Sequence, residues 1–248
     1  ASIHTAHRSA MIMSIVRDLA YTTAACLTWP LWTGYLLKTG KWRTDWPGRF
    51  GNVALPEPTK PRVVIHGVSV GEINATRTLL RKFETELADQ AELIITTTTN
   101  TGMARAQQNY AEHHAVLRYP LDLSSAVKRF LDQVQPTVVV LMELELWPNF
   151  IEACEHRNIP VLVINGRLSA RSFKRYHALR RMFRPVFAAV SQVGAQTQDD
   201  AERFVAMGVE PTRVQVTGNM KWDTAAIQTP RDEADCLAEQ LGINRQCP

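Results

Sequence analysis

Three glutamates, a threonine run and a basic stretch are the residues of this chain whose types and spacing could do chemistry. Glu72 follows Gly71 at the start of a helical period. A carboxylate there is stabilised by free amides and the helix dipole. It becomes a general base if it reaches a substrate hydroxyl. Spacing alone favours the simpler reading, a helix N-terminal charge. Glu143 and Glu145 alternate after an apolar run, so they face one side if the strand continues. Like-facing carboxylates repel unless paired or protonated, and Arg167 is one candidate partner. Thr96 to Thr99, with Thr101 and Gly102, gathers hydroxyls and amides at a helix start. That has the character of an oxyanion or phosphate cradle without Walker spacing, and part of it reads as β-branched strand filler.

Between Asn165 and Gln198 stand seven basic residues and no acid: Arg167, Arg171, Lys174, Arg175, Arg180, Arg181 and Arg184. Phe173, Tyr176, Leu179, Phe183 and Phe187 give the same stretch an apolar face. Such a helix is often a solvated face, but it also binds anionic lipid headgroups or phosphates. No nucleic-acid partner is expected, because no basic–aromatic array accompanies it. His66, His113, His114, His156 and His177 show no metal-ligand spacing, so no metal is expected. His66, at the end of a buried strand, reads as a hydrogen-bonded structural histidine.

These residues need elements to position them. The 248 residues, 45% hydrophobic and 21% charged with a net charge of +4, exclude bulk disorder and low-complexity classes. Cys26, Cys154, Cys236 and Cys247 are too scattered for a disulfide scaffold. From Leu19 to Leu37 there is no charged residue or histidine, a length near that of a bilayer-spanning helix. Tyr21, Trp29, Trp32 and Tyr35 suit a membrane interface, while Thr22, Thr23, Thr28, Thr33 and Pro30 reduce the apolarity. A membrane anchor, spanning or interfacial, is the expectation, with the rest on the cytoplasmic side by the positive-inside rule. Met11 or Met13 is expected to mark the natural start. Prolines and glycines make 38–61 a linker.

After Pro61, apolar strands alternate with amphipathic helices: strands near 62–65, 93–95, 115–119, 137–142, 161–164, 189–193 and 213–217. The helices fall near 72–87, 102–111, 124–134 (capped by Ser124 or Asp122), 148–158, 169–187 and 197–207. This predicts an α/β, Rossmann-like doubly wound parallel sheet. Ligands in such folds meet the carboxyl ends of the strands.

The strand ends read HGVSVGE, TTTTNTG, YPLD, MELELWPN, NGRLSARS and VTGNMKWD. Six such motifs in order resemble the 3-deoxy-D-manno-octulosonic acid (Kdo) transferases of Gram-negative lipopolysaccharide synthesis, over most of the chain to about Asp223. Gly67 stands where a small residue, often alanine or serine, is usual, and Trp222 where phenylalanine is usual. The resemblance implies the N-terminal domain of an inverting, B-type glycosyltransferase that passes Kdo from CMP-Kdo to a phosphorylated lipid A precursor, with no metal or cofactor. It implies Glu72 as general base. Ser69 and Gly71 would shape its loop, and Thr98, Thr99, Glu143, Glu145, Asn165, Arg167, Ser169, Asn219 and Lys221 would bind substrate. Asp223 would lie near the interdomain cleft.

The division expected is an N-terminal extension (1–18), a membrane anchor (19–37), a linker (38–61), an acceptor-binding domain (62–223), and an interdomain linker opening a missing donor domain (224–248). The chain alone is then expected to be inactive, at the cytoplasmic face of a bacterial inner membrane. The alternative is a non-catalytic, membrane-associated lipid A-binding module. A nucleotide-binding domain of another class is disfavoured by the absence of GxGxxG and GxxxxGK[ST].

Overall fold

The computed structural model describes residues 2–39, 42, 44–87 and 90–220. Lys221, Asp223, the expected helix at 232–241 and the rest of 224–248 lie outside the described residues. After α1 (Ser2–Thr39) and the four-residue α2 (Trp46–Arg49), strands and helices alternate: β1 (Arg62–His66), α3 (Val70–Glu86), β2 (Glu92–Thr97), α4 (Asn100–Tyr110), β3 (Ala115–Arg118), α5 (Ser124–Val134), β4 (Val138–Met142) and α6 (Pro148–His156). They continue with β5 (Val161–Gly166), α7 (Ala170–Ala178), α8 (Arg180–Ala188), β6 (Gln192–Ala195), α9 (Gln198–Met207) and β7 (Val214–Val216).

The seven strands form one parallel sheet in the order β3-β2-β1-β4-β5-β6-β7. Side chains alternate between its faces. Val64, Ile94, Val139, Leu141 and Val163 pack with Phe130, Phe150, Phe187 and Phe204 on one face. Val63, Ile65, Leu93, Ile95 and Val140 pack with Ile73, Leu80, Ala106 and Tyr110 on the other. Both faces being covered explains the continuous apolar runs of the strands. Burying one such side chain contributes about 1.5–3 kcal/mol. Strand β1 pairs with both β2 and β4. Strand order reverses between β1 and β4, so their following loops part and open a crevice at the carboxyl ends.

Three local expectations need correction. The expected helix over 169–187 is broken at Leu179 (φ −110°, ψ 26°) into α7 and α8. Pro185 removes one ladder donor just beyond the break, and the bend folds Tyr176 onto Phe183 and Phe187, with ring centroids 4.8 and 5.7 Å apart. Neither Ser124 nor Asp122 caps α5. Leu123 holds the N-cap position without a side-chain bond, and Asp18, from α1, accepts the Ser124 N–H at 3.0 Å and its hydroxyl. Asp122 serves α6 instead, accepting Asn149 N–H at 3.1 Å and Phe150 N–H at 2.9 Å.

The third correction concerns the spanning anchor. α1 carries 19–37 within 38 residues, about 57 Å of helix. Among the described residues, however, no helix is long and apolar enough to cross a membrane. Arg17 and Asp18 precede the uncharged stretch, and the hydroxyls of Thr22, Thr28 and Thr33 bond back to carbonyls one turn earlier within it. The polar part of α1 docks on the sheet domain. Arg17 Nε donates to Asn149 Oδ1 at 2.8 Å and pairs with Glu152, and Tyr21 donates to Asp122 at 3.3 Å. Leu19, Leu27, Trp29, Leu31, Tyr35 and Leu37 are exposed.

Candidate active site

Glu72 is the third residue of α3 and closes a variant of the capping box with Ser69, its carboxylate taking the amide of Val68 in place of the N-cap amide. Its amide donates to Ser69 Oγ at 3.3 Å, while Ser69 Oγ and Val68 N–H donate to its carboxylate at 2.7 and 2.9 Å. The simpler reading of Glu72 is therefore geometrically real. The carboxylate still has acceptor positions beyond these two bonds. Gly71 has open space where a side chain would stand, Ser69 Oγ being the one atom within 4 Å of an added Cβ. The capping spacing Ser-x-x-Glu was visible in the sequence.

The threonine run works differently from the expected cradle. Thr97 and Thr99 hydroxyls donate to Val68 O at 3.2 and 2.6 Å. Thr99 also caps α4, accepting Gly102 N–H at 3.0 Å. A Cβ on Gly102 would lie 2.5 Å from Thr97 Oγ1 and 2.8 Å from both Thr99 Oγ1 and Val68 O. The run is a clamp: it holds the carbonyl of the residue whose N–H holds Glu72.

Glu143 and Glu145 do not alternate along a strand. β4 ends at Met142, and Glu143 turns the chain with φ 57°, a left-handed conformation rare for a residue with a side chain. Its N–H donates to Ile164 O at 3.0 Å. Glu145 accepts Trp147 Nε1–H at 3.0 Å. Burial pushes the Glu145 carboxyl up to about 7, and the charges of Glu72 and Glu143 add to the rise. The loop after β4 thus places Glu145 within electrostatic reach of Glu143 and of Glu72, at the head of α3. Arg167, the suggested partner, is exposed and joins no ion pair among the described residues.

The remaining candidates divide. Asn165 is buried, at 1% exposure, with φ 51°. Its Oδ1 accepts Met220 N–H at 3.1 Å and its carbonyl accepts Gln196 Nε2–H at 3.0 Å, while Nδ2 has no partner. This joins the β5 end to the segment after β7, beside Asn219. Ser169 caps α7, accepting Ser172 N–H at 3.2 Å. Thr98 offers its carbonyl to Arg49 and Arg118. Lys221 lies outside the described residues. Exposed cations follow on α7 and α8, where Arg180, Arg181 and Arg184 line a cavity of about 750 Å³.

His66 is buried, with Nδ1 3.0 Å from Thr96 Oγ1 and its ring stacked 3.8 Å from Tyr119. Burial lowers it to about 3, more than its bond to the Thr96 carbonyl raises it. It is a neutral structural group, as its position implied. Among the described residues no group of three or more His, Cys, Asp or Glu side chains could hold a metal ion. Asp18, Arg49 and Arg118 were not singled out from the sequence. Asp18 is the only acid before Asp45, and Arg118 is the one charge closing the run AVLR; those were the available signals.

Residues 44–224 match the family model described as 3-deoxy-D-manno-octulosonic-acid transferase (kdotransferase). The 3-deoxy-D-manno-octulosonic acid transferase of Haemophilus influenzae is 34% identical over 176 residues, covering 71% of this chain and 40% of that protein. The transferase of the same description from Chlamydia pneumoniae is 32% identical over 228 residues, 91% of this chain and 52% of that protein. The chain thus spans about half the length of the curated relatives it matches. In fold it is similar to a protein of Listeria monocytogenes described as a UDP-N-acetylglucosamine 2-epimerase (TM-score 0.55, 15% identity, 75% of this chain and 52% of that one). It is also similar to the UDP-GlcNAc 2-epimerase of Neisseria meningitidis (TM-score 0.52, 13% identity, 72% and 52%).

Proposed function

The chain belongs to the 3-deoxy-D-manno-octulosonic-acid transferase family, and on that premise we propose that it supplies the acceptor side and the general base of an inverting Kdo transfer from CMP-Kdo to a lipid A precursor in lipopolysaccharide synthesis. The observation that carries this reading is the carboxylate of Glu72, held at the carboxyl end of β1 by Ser69 Oγ and Val68 N–H, with Glu145 within electrostatic reach. Glu72 takes the proton of the acceptor hydroxyl as its oxygen forms a bond to the anomeric carbon of Kdo. The bond from that carbon to the CMP phosphate oxygen breaks with its electron pair, and the carbon inverts.

The capping bonds from Ser69 and Val68 keep Glu72 in place. A neighbour that carries its own proton near neutral pH limits the repulsion on the Glu72 charge. Arg167 and Asn219 face the donor in this reading, Asn165 fixes the segment that carries Asn219, and no resident cofactor or metal takes part. The exposed apolar residues of α1 and the cations of α7 and α8 rest on the cytoplasmic surface of the inner membrane, where the acceptor resides.

The test is transfer itself. The protein expressed from its whole gene is incubated with CMP-Kdo and a bisphosphorylated lipid A precursor, and products are read by mass spectrometry. A product heavier by one or more Kdo residues is expected. Acceptor binding without any such product would instead favour the non-catalytic lipid-binding module, the reading supported by the exposed cations alone.

A further inference from the structure

Next to the carboxylate crevice, two guanidinium groups meet without a matching acid. Arg118 ends β3 and is 5% exposed; Arg49 ends α2 and is half-buried. Both donate to one carbonyl, Thr98 O, from Arg49 Nη2 at 2.6 Å and Arg118 Nη1 at 3.2 Å. Arg118 also donates to Thr99 O at 2.9 Å and Asn100 Oδ1 at 2.7 Å, and Arg49 Nε to Thr44 Oγ1 at 3.1 Å. Among the described residues neither forms an ion pair with a carboxylate. Asp45 is the acid nearby that both feel. It is exposed, and its carboxylate accepts Gly48 N–H at 3.0 Å.

The positive charge is therefore in excess where water is scarce. Arg118 Nε is buried with no partner, as is Thr98 Oγ1. α4 starts at Asn100 and adds the positive end of its dipole. A cavity of about 490 Å³ opens alongside, lined by Arg118, Asn100, Asp45, Asn52, Gln107 and Met103. Buried charges are normally paired, and the guanidinium fork matches phosphate oxygens.

This group is wired to Glu72. Thr98 and Thr99 are adjacent, Thr99 holds Val68 O, and Val68 N–H holds Glu72. We propose that Arg118 and Arg49, with the first turn of α4, form a phosphate-binding subsite for a phosphate monoester carried by the acceptor whose hydroxyl Glu72 deprotonates. The proposal rests on the proposed function for the identity of that acceptor. It adds the group that fixes the acceptor's orientation, and it distinguishes this pair from the exposed cations of α7 and α8, which meet a surface rather than one phosphate.

The test uses the protein expressed from its whole gene, with inorganic phosphate as probe. Phosphate is expected to raise the unfolding temperature and to inhibit transfer competitively against the acceptor. Arg118→Met is expected to lose both effects and to raise KM for the bisphosphorylated acceptor about tenfold, the scale of a hydrogen bond to a charged group. KM for the same lipid after enzymatic dephosphorylation should not change, and Arg118→Lys should restore part of the loss. Arg49→Met, at a less buried position, provides the same readout if Arg118→Met folds poorly. Inhibition competitive with CMP-Kdo rather than acceptor would overturn the proposal, as would equal KM shifts for both lipids. If no transfer occurs at all while phosphate still stabilises the wild type and not Arg118→Met, the functional reading fails and the anion site stands.

Discussion

Glu145 sets a pH dependence that can be read without any substrate. Its carboxyl rises from 4.5 to about 7 in the folded protein, chiefly through burial. The unfolded chain releases that proton near 4.5 and the folded one holds it until about 7. The group's contribution to stability is thus full below pH 4.5 and is lost as pH rises to 7. Glu145→Gln should unfold a few degrees higher than wild type at pH 8, since about 1 kcal/mol moves Tm by some 2–4 °C in a domain of this size. At pH 4.5 the two should coincide. A difference that ignores pH would mean Glu145 is not held protonated. Asp122 is also raised, to about 6, but it is common to both proteins and cancels. Gly102→Ala tests the threonine clamp: the added methyl meets Thr97, Thr99 and Val68 O. Overpacking of this kind costs about 1–3 kcal/mol. Thermal unfolding should report that loss, and transfer at a temperature where the variant is folded should fall as well. Normal transfer would show that Val68 does not position Glu72.

At the scale of elements, apolar periodicity carried the alternation of strands and helices, because buried strands and amphipathic helices have different periods. What it missed depends on distant partners. Asp18 lies 106 residues from Ser124, whose amide it caps, and no local pattern joins the two. Leu179 breaks a helix whose apolar positions continue through it. Glu143 leaves the strand in a left-handed turn that Met-Glu-Leu-Glu does not announce, yet Glu145 still lies within electrostatic reach of Glu72. The threonines were legible as hydroxyls at a helix start, but their acceptor, Val68 O, belongs to another loop. Docking of α1 gives the prediction for this scale. Asp18→Ala removes the carboxylate that accepts the first amide of α5, a loss of about 0.5–2 kcal/mol for such a cap. Hydrogen exchange at α1 amides should quicken while α3 amides keep their protection. Unchanged exchange in α1 would show that its hold on Asn149, Glu152 and Asp122 does not need Asp18.

Across the whole molecule, the order of seven parallel strands decides where chemistry is placed. The reversal between β1 and β4 sends α3 and α6 to opposite faces and leaves the first turn of α3, with Glu72, and the loop before α6, with Glu145, at one crevice. The parallel sheet and the polar residues at its strand ends followed from the alternating pattern; the strand order, and with it the approach of Glu145 to Glu72, did not. The arginine pair and the docked face of α1 did not, since both arise where segments far apart in sequence pack together. The central claim is that Glu72 is a base as well as a cap, and Glu72→Gln separates the two roles, because glutamine also serves in a capping box. The decisive measurement is single-turnover transfer from CMP-Kdo by this variant in the whole-gene protein, with acceptor affinity and Tm measured alongside. The account predicts a rate lower by about 10²–10⁴-fold at nearly unchanged affinity and Tm; a wild-type rate would contradict it.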